Sequence, residues 1–186
     1  WRYSTGAGVA NVLRQKIMDG ALVESRELTL AAPVTPATRL SALLAQDRTS
    51  TGGLLAVNAF YPQQLLLAGY GLYESYDGGD TALAVAGWVV DNRAVTAIAY
   101  GFKPASGSNA ASEPTAAAPG VIYAARRDEM WVRTPTAAAI VRMPTKLPAP
   151  IRAIALHPED WETAYVLTSD SRLYKTLDHG KKWTEI

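Results

Sequence analysis

Short apolar runs recur along the chain at intervals of about ten residues, and 14 glycines and 11 prolines separate them. The runs that alternate or pack like strands are Leu54 to Val57, Leu65 to Ala68, Ala94 to Tyr100, Val121 to Ala125, Met130 to Arg133, Ile151 to Leu156, Ala164 to Thr168 and Arg172 to Thr176. Many short strands with turn signals between them are typical of an all-β sandwich, barrel or propeller.

One early segment fits two structures. Val9, Leu13 and Ile17 recur at helical spacing, and Gly20 could end such a helix. The same segment places Asp19-Gly20 between two β-capable runs, which is a strong hairpin signal. We favour the hairpin because the chain downstream has a β pattern throughout.

An internal repeat connects the strands. Leu72-Tyr73-Glu74-Ser75-Tyr76-Asp77-Gly78-Gly79 aligns with Leu173-Tyr174-Lys175-Thr176-Leu177-Asp178-His179-Gly180, and Trp131 falls where Tyr73 and Tyr174 fall. The two spacings differ by about the length of a polar stretch, residues 104–119, which has almost no charge and no large apolar side chain. We expect this stretch to be a mobile insertion. Without it the period is regular at about 43 residues, which indicates propeller blades of four strands each.

The turn after the repeated strand carries a motif of the form hydroxyl-x-Asp-x-Gly-x-x-Trp. The last copy has Thr176, Asp178, Gly180 and Trp183, and an earlier copy has Ser75, Asp77 and Gly79, with Ala82 where tryptophan is expected. The motif resembles the Asp-box, or BNR repeat, of sialidase-like and sortilin-like β-propellers. The sequences of the repeats are most similar to those of large repeat-rich surface proteins of bacteria.

We expect these turn residues to have a structural role. The carboxylate accepts hydrogen bonds from turn amides, and glycine supplies the positive φ of a tight turn. A carboxylate saturated in this way is a poor acid or base. In the families that the motif resembles, it lies on the blade periphery, so no catalytic residue is assigned to it.

The predicted architecture is an all-β partial propeller of about three to four blades, each a four-stranded antiparallel sheet. Residues 1–51 would supply the outer strands of a preceding blade plus a connection. Blades would follow at 52–93, at 94–150 with the insertion 104–119, and at 151–186 with the Asp-box. Closed propellers usually have four to eight blades, so we expect the chain to be part of a larger propeller.

The composition argues against general nucleic-acid binding and against a membrane span. Eighteen basic and 17 acidic residues give a net charge of +1, which makes general nucleic-acid binding a poor hypothesis. The chain has no cysteine, and its longest apolar runs are too short for a membrane span. It opens on Trp1, so we expect a fragment or a processed chain, from an extracellular or cell-surface protein, with a cytoplasmic location left open.

No cofactor or metal site is predicted, because the two histidines lack ligand spacing and no calcium or dinucleotide motif is complete. Trp88 and Trp161 break the repeat and are therefore candidates for surface binding. Five arginines could meet in space as in a sialidase, but we assign them to surface solvation: Arg126, Arg127, Arg133, Arg142 and Arg152. The acidic residues lie mainly in turns, so no catalytic carboxylate pair is chosen.

Two functions remain. The first is a non-catalytic scaffold that binds a protein or a glycan, as part of a larger extracellular or cell-surface propeller, with the rest of that propeller or another subunit as a further partner. The alternative is a fragment of a sialidase-like enzyme or another glycoside hydrolase propeller.

Overall fold

The computed structural model describes residues 2–5, 12–27, 53–91, 93–101 and 120–186. These residues form 15 strands in four antiparallel sheets, and none of them is helical. The predicted all-β class is confirmed. The insertion predicted at 104–119 lies outside the described residues, and so do residues 28–51 at the end of the segment 1–51 that was predicted to contain a connection.

Each sheet is an up-and-down meander in chain order. Sheet I holds β1 (Arg2–Thr5), β2 (Val12–Met18) and β3 (Ala21–Glu27). Sheet II holds β4 (Leu54–Val57), β5 (Leu65–Ala68), β6 (Leu72–Ser75) and β7 (Leu83–Ala84). Sheet III holds β8 (Ala97–Tyr100), β9 (Ile122–Arg126), β10 (Glu129–Arg133) and β11 (Val141–Arg142). Sheet IV holds β12 (Ile151–Leu156), β13 (Ala164–Thr168), β14 (Leu173–Thr176) and β15 (Thr184–Glu185).

The early segment is a hairpin, and the helical alternative is wrong. Strand β2 pairs with β3 around Asp19 and Gly20, whose φ values are 51° and 79°. Two successive positive φ angles match the twist of the flanking strands, which is why Asp-Gly is favoured in two-residue hairpin turns.

The sheets stack face to face, as propeller blades do. Three separate apolar cores lie between neighbouring sheets, one for each of the pairs I/II, II/III and III/IV. The repeated aromatic residue takes the same position in each of these cores: Tyr73, Trp131 and Tyr174 all sit on the third strand and face the preceding sheet. The first strands β4, β8 and β12 contact one another in succession, which places them on the inner side of the arc.

Alternation along the strands explains the stacking. In β9, Ile122 and Ala124 face sheet II, whereas Tyr123 and Ala125 face sheet IV, and all are buried. Sheet IV faces sheet III with its own alternate residues, but Leu167 on its other face is exposed. The described residues are therefore an open arc of a propeller.

The loops lie at two ends of the sheets. We call one the Asp-turn end; it joins first to second strands and third to fourth strands, at residues 58–64, 76–82, 134–140, 157–163 and 177–183. The other is the crossover end, at residues 69–71, 85–91, 93–96, 127–128, 143–150 and 169–172. Among the described residues, none forms a helix with the length and hydrophobicity that a membrane crossing requires.

Candidate binding site at the crossover end

Three half-exposed cations converge on one buried carboxylate at the crossover end of sheet III. Glu129 begins β10, and its side chain is 7% exposed. Arg142 Nη2 lies 2.6 Å from Glu129 Oε1, Lys146 Nζ lies 2.9 Å from the same oxygen, and Arg93 Nη1 lies 3.4 Å from Oε2. The hydrogen bond from Lys146, together with the charges of Arg142 and Arg93, lowers the pKa of Glu129 against the effect of its burial. The carboxylate is therefore ionised at neutral pH and holds the three cations in place.

A third arginine, Arg126, lies beneath this group. Arg126 ends β9 and is 2% exposed, with its guanidinium carbon 4.4 Å from the ring centroid of Trp88 and 5.4 Å from that of Trp131. Arg126 Nη1 lies 3.0 Å from Asp91 Oδ2, and Nη2 donates to the carbonyl of Val89 at 3.1 Å. Burial lowers the pKa of Arg126, and Asp91 opposes that shift. A desolvated guanidinium is planar and is stabilised by stacking on aromatic rings and by pairing with a carboxylate.

Arg93 connects Asp91, the ion-pair partner of Arg126, with Glu129. Its guanidinium donates to Asp91 Oδ2 through Nη2 at 2.7 Å and through Nε at 2.9 Å, while Nη1 reaches Glu129. We call Asp91, Arg93, Arg126, Glu129, Arg142 and Lys146 the Glu129 cluster. The adjoining turn adds exposed Arg127, which has a φ of 57°, and Asp128, whose carboxylate lies 3.6 Å from Lys146 Nζ.

The structure corrects one interpretation of the arginines. Surface solvation is wrong for Arg126 and Arg133, since both are 2% exposed. It fits Arg127, Arg142 and Arg152, which are exposed. Arg126 ends the apolar run from Val121, and Arg133 ends the run from Met130. Arg152 also belongs to an apolar run but is exposed, so the local pattern alone does not distinguish buried from exposed arginines.

The two predicted tryptophan candidates are partly buried. Trp88 packs on Trp131 with ring centroids 5.1 Å apart, and its Nε1 donates to the carbonyl of Tyr70 at 3.1 Å. Trp161 stacks on His179 at 5.3 Å, at the opposite end of the sheets. Of the two, only Trp88 lies beside the Glu129 cluster, and a direct binding role for either stays a prediction.

A second charged cluster lies between sheets II and III, toward the Asp-turn end. Glu74 on β6 and Arg133 on β10 are both buried and form a bidentate pair, with Nη1 at 2.7 Å and Nη2 at 2.6 Å. Tyr100 donates to Glu74 Oε1 at 2.5 Å, and Arg133 also donates to the carbonyl of Gly120 at 2.8 Å. Burial and the negative charge of Glu74 raise the pKa values of Tyr100 and Tyr76. Both oxygens of Glu74 and all three nitrogens of the Arg133 guanidinium have partners within the fold, so the pair joins two sheets.

The two Asp turns have matching geometry. Ser75 Oγ donates to Asp77 at 2.9 Å and accepts from the amide of Gly79 at 2.8 Å. Thr176 Oγ1 donates to Asp178 at 2.8 Å and accepts from the amide of Gly180 at 3.0 Å.

Each carboxylate also accepts an amide hydrogen bond four residues on, at 2.9 Å, from Thr81 in the first turn and from Lys182 in the second. These hydrogen bonds outweigh desolvation and lower the pKa values of Asp77 and Asp178. The glycines have φ values of 91° and 90°, which only glycine adopts readily. Trp183 packs against the core between sheets III and IV, beside Gly180.

Sequence reasoning missed both buried glutamates. Glu74 falls in the repeated strand at the position that Lys175 takes in sheet IV, so it was a charged residue at a core-facing site. Glu129 adjoins a two-residue turn and was indistinguishable from a solvated turn residue. Among the described residues, no group of three or more His, Asp or Glu side chains has the arrangement of a metal site.

Comparison with known proteins supports the fold. No protein-family model matches the chain, and no curated protein matches it. Among solved structures, the chain is similar to the GH74 enzyme of Niastella koreensis, with 20% identity and a TM-score of 0.51 over 70% of this chain and 20% of that one. It is also similar to YCF48 bound to a D1 peptide, with 22% identity and a TM-score of 0.46 over 66% of this chain and 35% of that one. YCF48 from Cyanidioschyzon merolae matches with 20% identity and a TM-score of 0.48 over 70% of this chain and 35% of that one. The chain thus spans about a third or less of the structures it resembles.

Proposed function

We propose that this chain is part of a non-catalytic propeller scaffold, and that the Glu129 cluster binds an anionic segment of a partner protein. The observation that carries the proposal is the convergence of Arg93, Arg142 and Lys146 on buried Glu129, with about half of each cation facing solvent. Cations held in one place lose less side-chain entropy on binding than free surface lysines or arginines do.

The charge balance favours an anionic ligand. In the Glu129 cluster and the adjoining turn, the cations Arg93, Arg126, Arg127, Arg142 and Lys146 outnumber the carboxylates Asp91, Asp128 and Glu129. Because Arg126 is buried, the excess positive charge lies on the other four cations, which are exposed. Arginine also offers a planar fork that matches carboxylates in two-point contacts.

The chemistry of the carboxylates supports a non-catalytic role. A glycosidase requires two carboxylates at one cleft, one of them with a raised pKa. Glu74 is bound by Arg133, and the pKa of Glu129 is lowered rather than raised. A sialidase-like tyrosine nucleophile would be activated by a lowered pKa, whereas burial and Glu74 raise that of Tyr76.

We also infer that the turns at Asp77 and Asp178 belong to the Asp-box type and act as structural staples. Their hydroxyl, carboxylate and glycine contacts support this assignment, since each named atom bonds within its own turn. On this proposal neither aspartate contacts a ligand.

The binding proposal is tested by fluorescence anisotropy with a labelled oligo-glutamate peptide, and with an oligo-lysine peptide of the same length. We expect saturable binding of oligo-glutamate alone, weakened several-fold as ionic strength rises from about 0.05 to 0.5 M. The variant Arg142→Gln/Lys146→Gln is expected to lose most of the affinity. The variant Lys181→Gln/Lys182→Gln removes the same charge at the Asp-turn end and is expected to bind normally.

A further variant and an activity assay complete the test of the binding proposal. If Arg142→Gln/Lys146→Gln is destabilised, exposed Arg127→Gln is expected to weaken binding in a chain with an intact fold, as judged by circular dichroism. Equal loss in the Asp-turn control would contradict the proposal. Hydrolysis of aryl glycosides or xyloglucan by the chain would overturn its non-catalytic part.

A further inference from the structure

Strand β3 is an outer edge that no described strand covers. It pairs with β2 on one side only, and all seven of its residues, Ala21–Glu27, are exposed. An edge strand carries a row of amide and carbonyl groups that can pair with another strand. Strand β3 has seven residues, whereas the outermost strands of sheets II, III and IV have two residues each.

Apolar side chains accompany this edge. Leu22 and Val23 on β3 are each 58% exposed, and Ile17 and Met18 on β2 are exposed beside them. A soluble domain usually blunts an exposed edge with short length, proline or inward charges. Strand β3 has none of these devices in its first half.

The centre of this segment, Glu24 to Arg26, is complementary to itself. Glu24, Ser25 and Arg26 follow one another, so two copies of the strand running antiparallel about Ser25 place Glu24 of each opposite Arg26 of the other. Directly opposed charges of unlike sign stabilise an antiparallel pair. The carboxylate of Asp80 already holds Arg26 Nη1 at 2.8 Å, which orients that side chain on one face of sheet I.

We propose that β3 pairs antiparallel with β3 of a second copy of this chain, with Ser25 at the two-fold axis, to form a continuous six-stranded sheet. A two-fold pair of this kind uses the same patch on both copies and closes at a dimer. This interface lies on the outer edge of sheet I and does not involve the Glu129 cluster.

The absence of cysteine makes the test direct, because a single introduced thiol has no competitor. Ser25→Cys is expected to form a disulfide-linked dimer under mild oxidation, at dilution where Ser169→Cys, on an exposed turn of sheet IV, stays monomeric. Sedimentation equilibrium of the unmodified chain is expected to show a concentration-dependent dimer. If the unmodified chain is monomeric, or dimerises while Ser25→Cys gives no cross-link, the proposal is overturned.

A charge variant provides the second measurement. Glu24→Lys replaces two attractive pairs by two repulsive ones and is expected to raise the dissociation constant of the dimer by about tenfold. The matched control is Glu185→Lys, which makes the same change on the outer strand of sheet IV and is expected to leave the dimer unchanged. Equal effects of the two variants would assign self-association to a surface other than β3.

Discussion

The interface between sheets II and III differs in chemistry from that between sheets III and IV, although the same repeat builds both. Between II and III, the buried pair of Glu74 and Arg133 and the stacked Arg126 lie within an apolar core. Between III and IV, the core is apolar along its length, with Met130 and Val166 among its buried members. Apolar packing favours stacking of any two blades, whereas a buried ion pair is satisfied only by its own partner in one register. We infer that charge specifies the neighbour of sheet II, whereas apolar packing, together with one hydrogen bond from Tyr123 to the carbonyl of Trp161 at 2.8 Å, holds sheets III and IV together.

Among changes that test the difference between the two interfaces, removing one member of the buried Glu74–Arg133 pair is expected to have the largest effect. Glu74→Leu leaves Arg133 without its carboxylate and leaves Tyr100 with only its 3.4 Å contact to Gln64 Oε1, so we expect a loss of about 4 kcal/mol in the free energy of unfolding. Urea denaturation followed by circular dichroism measures the loss.

The double variant Glu74→Leu/Arg133→Met sharpens the same result. Replacing both partners by apolar residues of similar size is expected to restore most of the stability. If the double variant loses the sum of the two single effects, the pair is not a coupled unit and our explanation of this interface is wrong.

In the apolar interface the corresponding change is Met130→Ala. Met130 is buried against sheet IV, and its truncation leaves a cavity, so we expect a loss of about 3 kcal/mol. The loss is expected to be independent of salt and pH, in contrast to the charged interface. Strong salt dependence of the Met130→Ala effect, measured by denaturation at two ionic strengths, would remove the distinction between the interfaces.

The stacked arginine gives a smaller effect. Arg126→Lys keeps the charge but loses the planar contact with Trp88 and the geometry of the bonds to Asp91 and Val89. We expect a loss of about 1–2 kcal/mol, and a shift of the tryptophan emission as the ring of Trp88 gains water. The surface control Arg152→Lys is expected to change neither quantity.

Most of the fold could be predicted from the sequence, because the repeat marks the strands, the turns and the aromatic positions directly. Tyr73, Trp131 and Tyr174 align by spacing, and each lies in the core on the preceding sheet. The candidate site was not predictable in the same way. Glu129 meets Arg93 and Lys146 only after sheet III has formed and the chain has crossed to the next sheet, so no local pattern brings them together.

Of these changes, substitution in an Asp turn is expected to have the smallest effect. Asp178→Asn weakens the hydrogen bonds from Thr176 and the Lys182 amide, at a cost of about 1 kcal/mol at neutral pH. Since folding lowers the pKa of Asp178, its contribution is complete above the ordinary value of 3.8 and is lost as the pH falls through the lower, folded value. The variant is therefore expected to be less sensitive to acid than the parent. A parallel decline of both proteins between pH 5 and about pH 2, the range in which native carboxylates titrate, would contradict the staple role.

Amide hydrogen exchange with and without oligo-glutamate tests the binding surface most directly. We predict slower exchange on binding in the turn at residues 127–129, in residues 142–147 and around Arg93, with no change at residues 159–163 of the Asp-turn end. Protection confined to the Asp-turn end, or spread evenly over both ends, would contradict the claim that the cations held by Glu129 form the binding site.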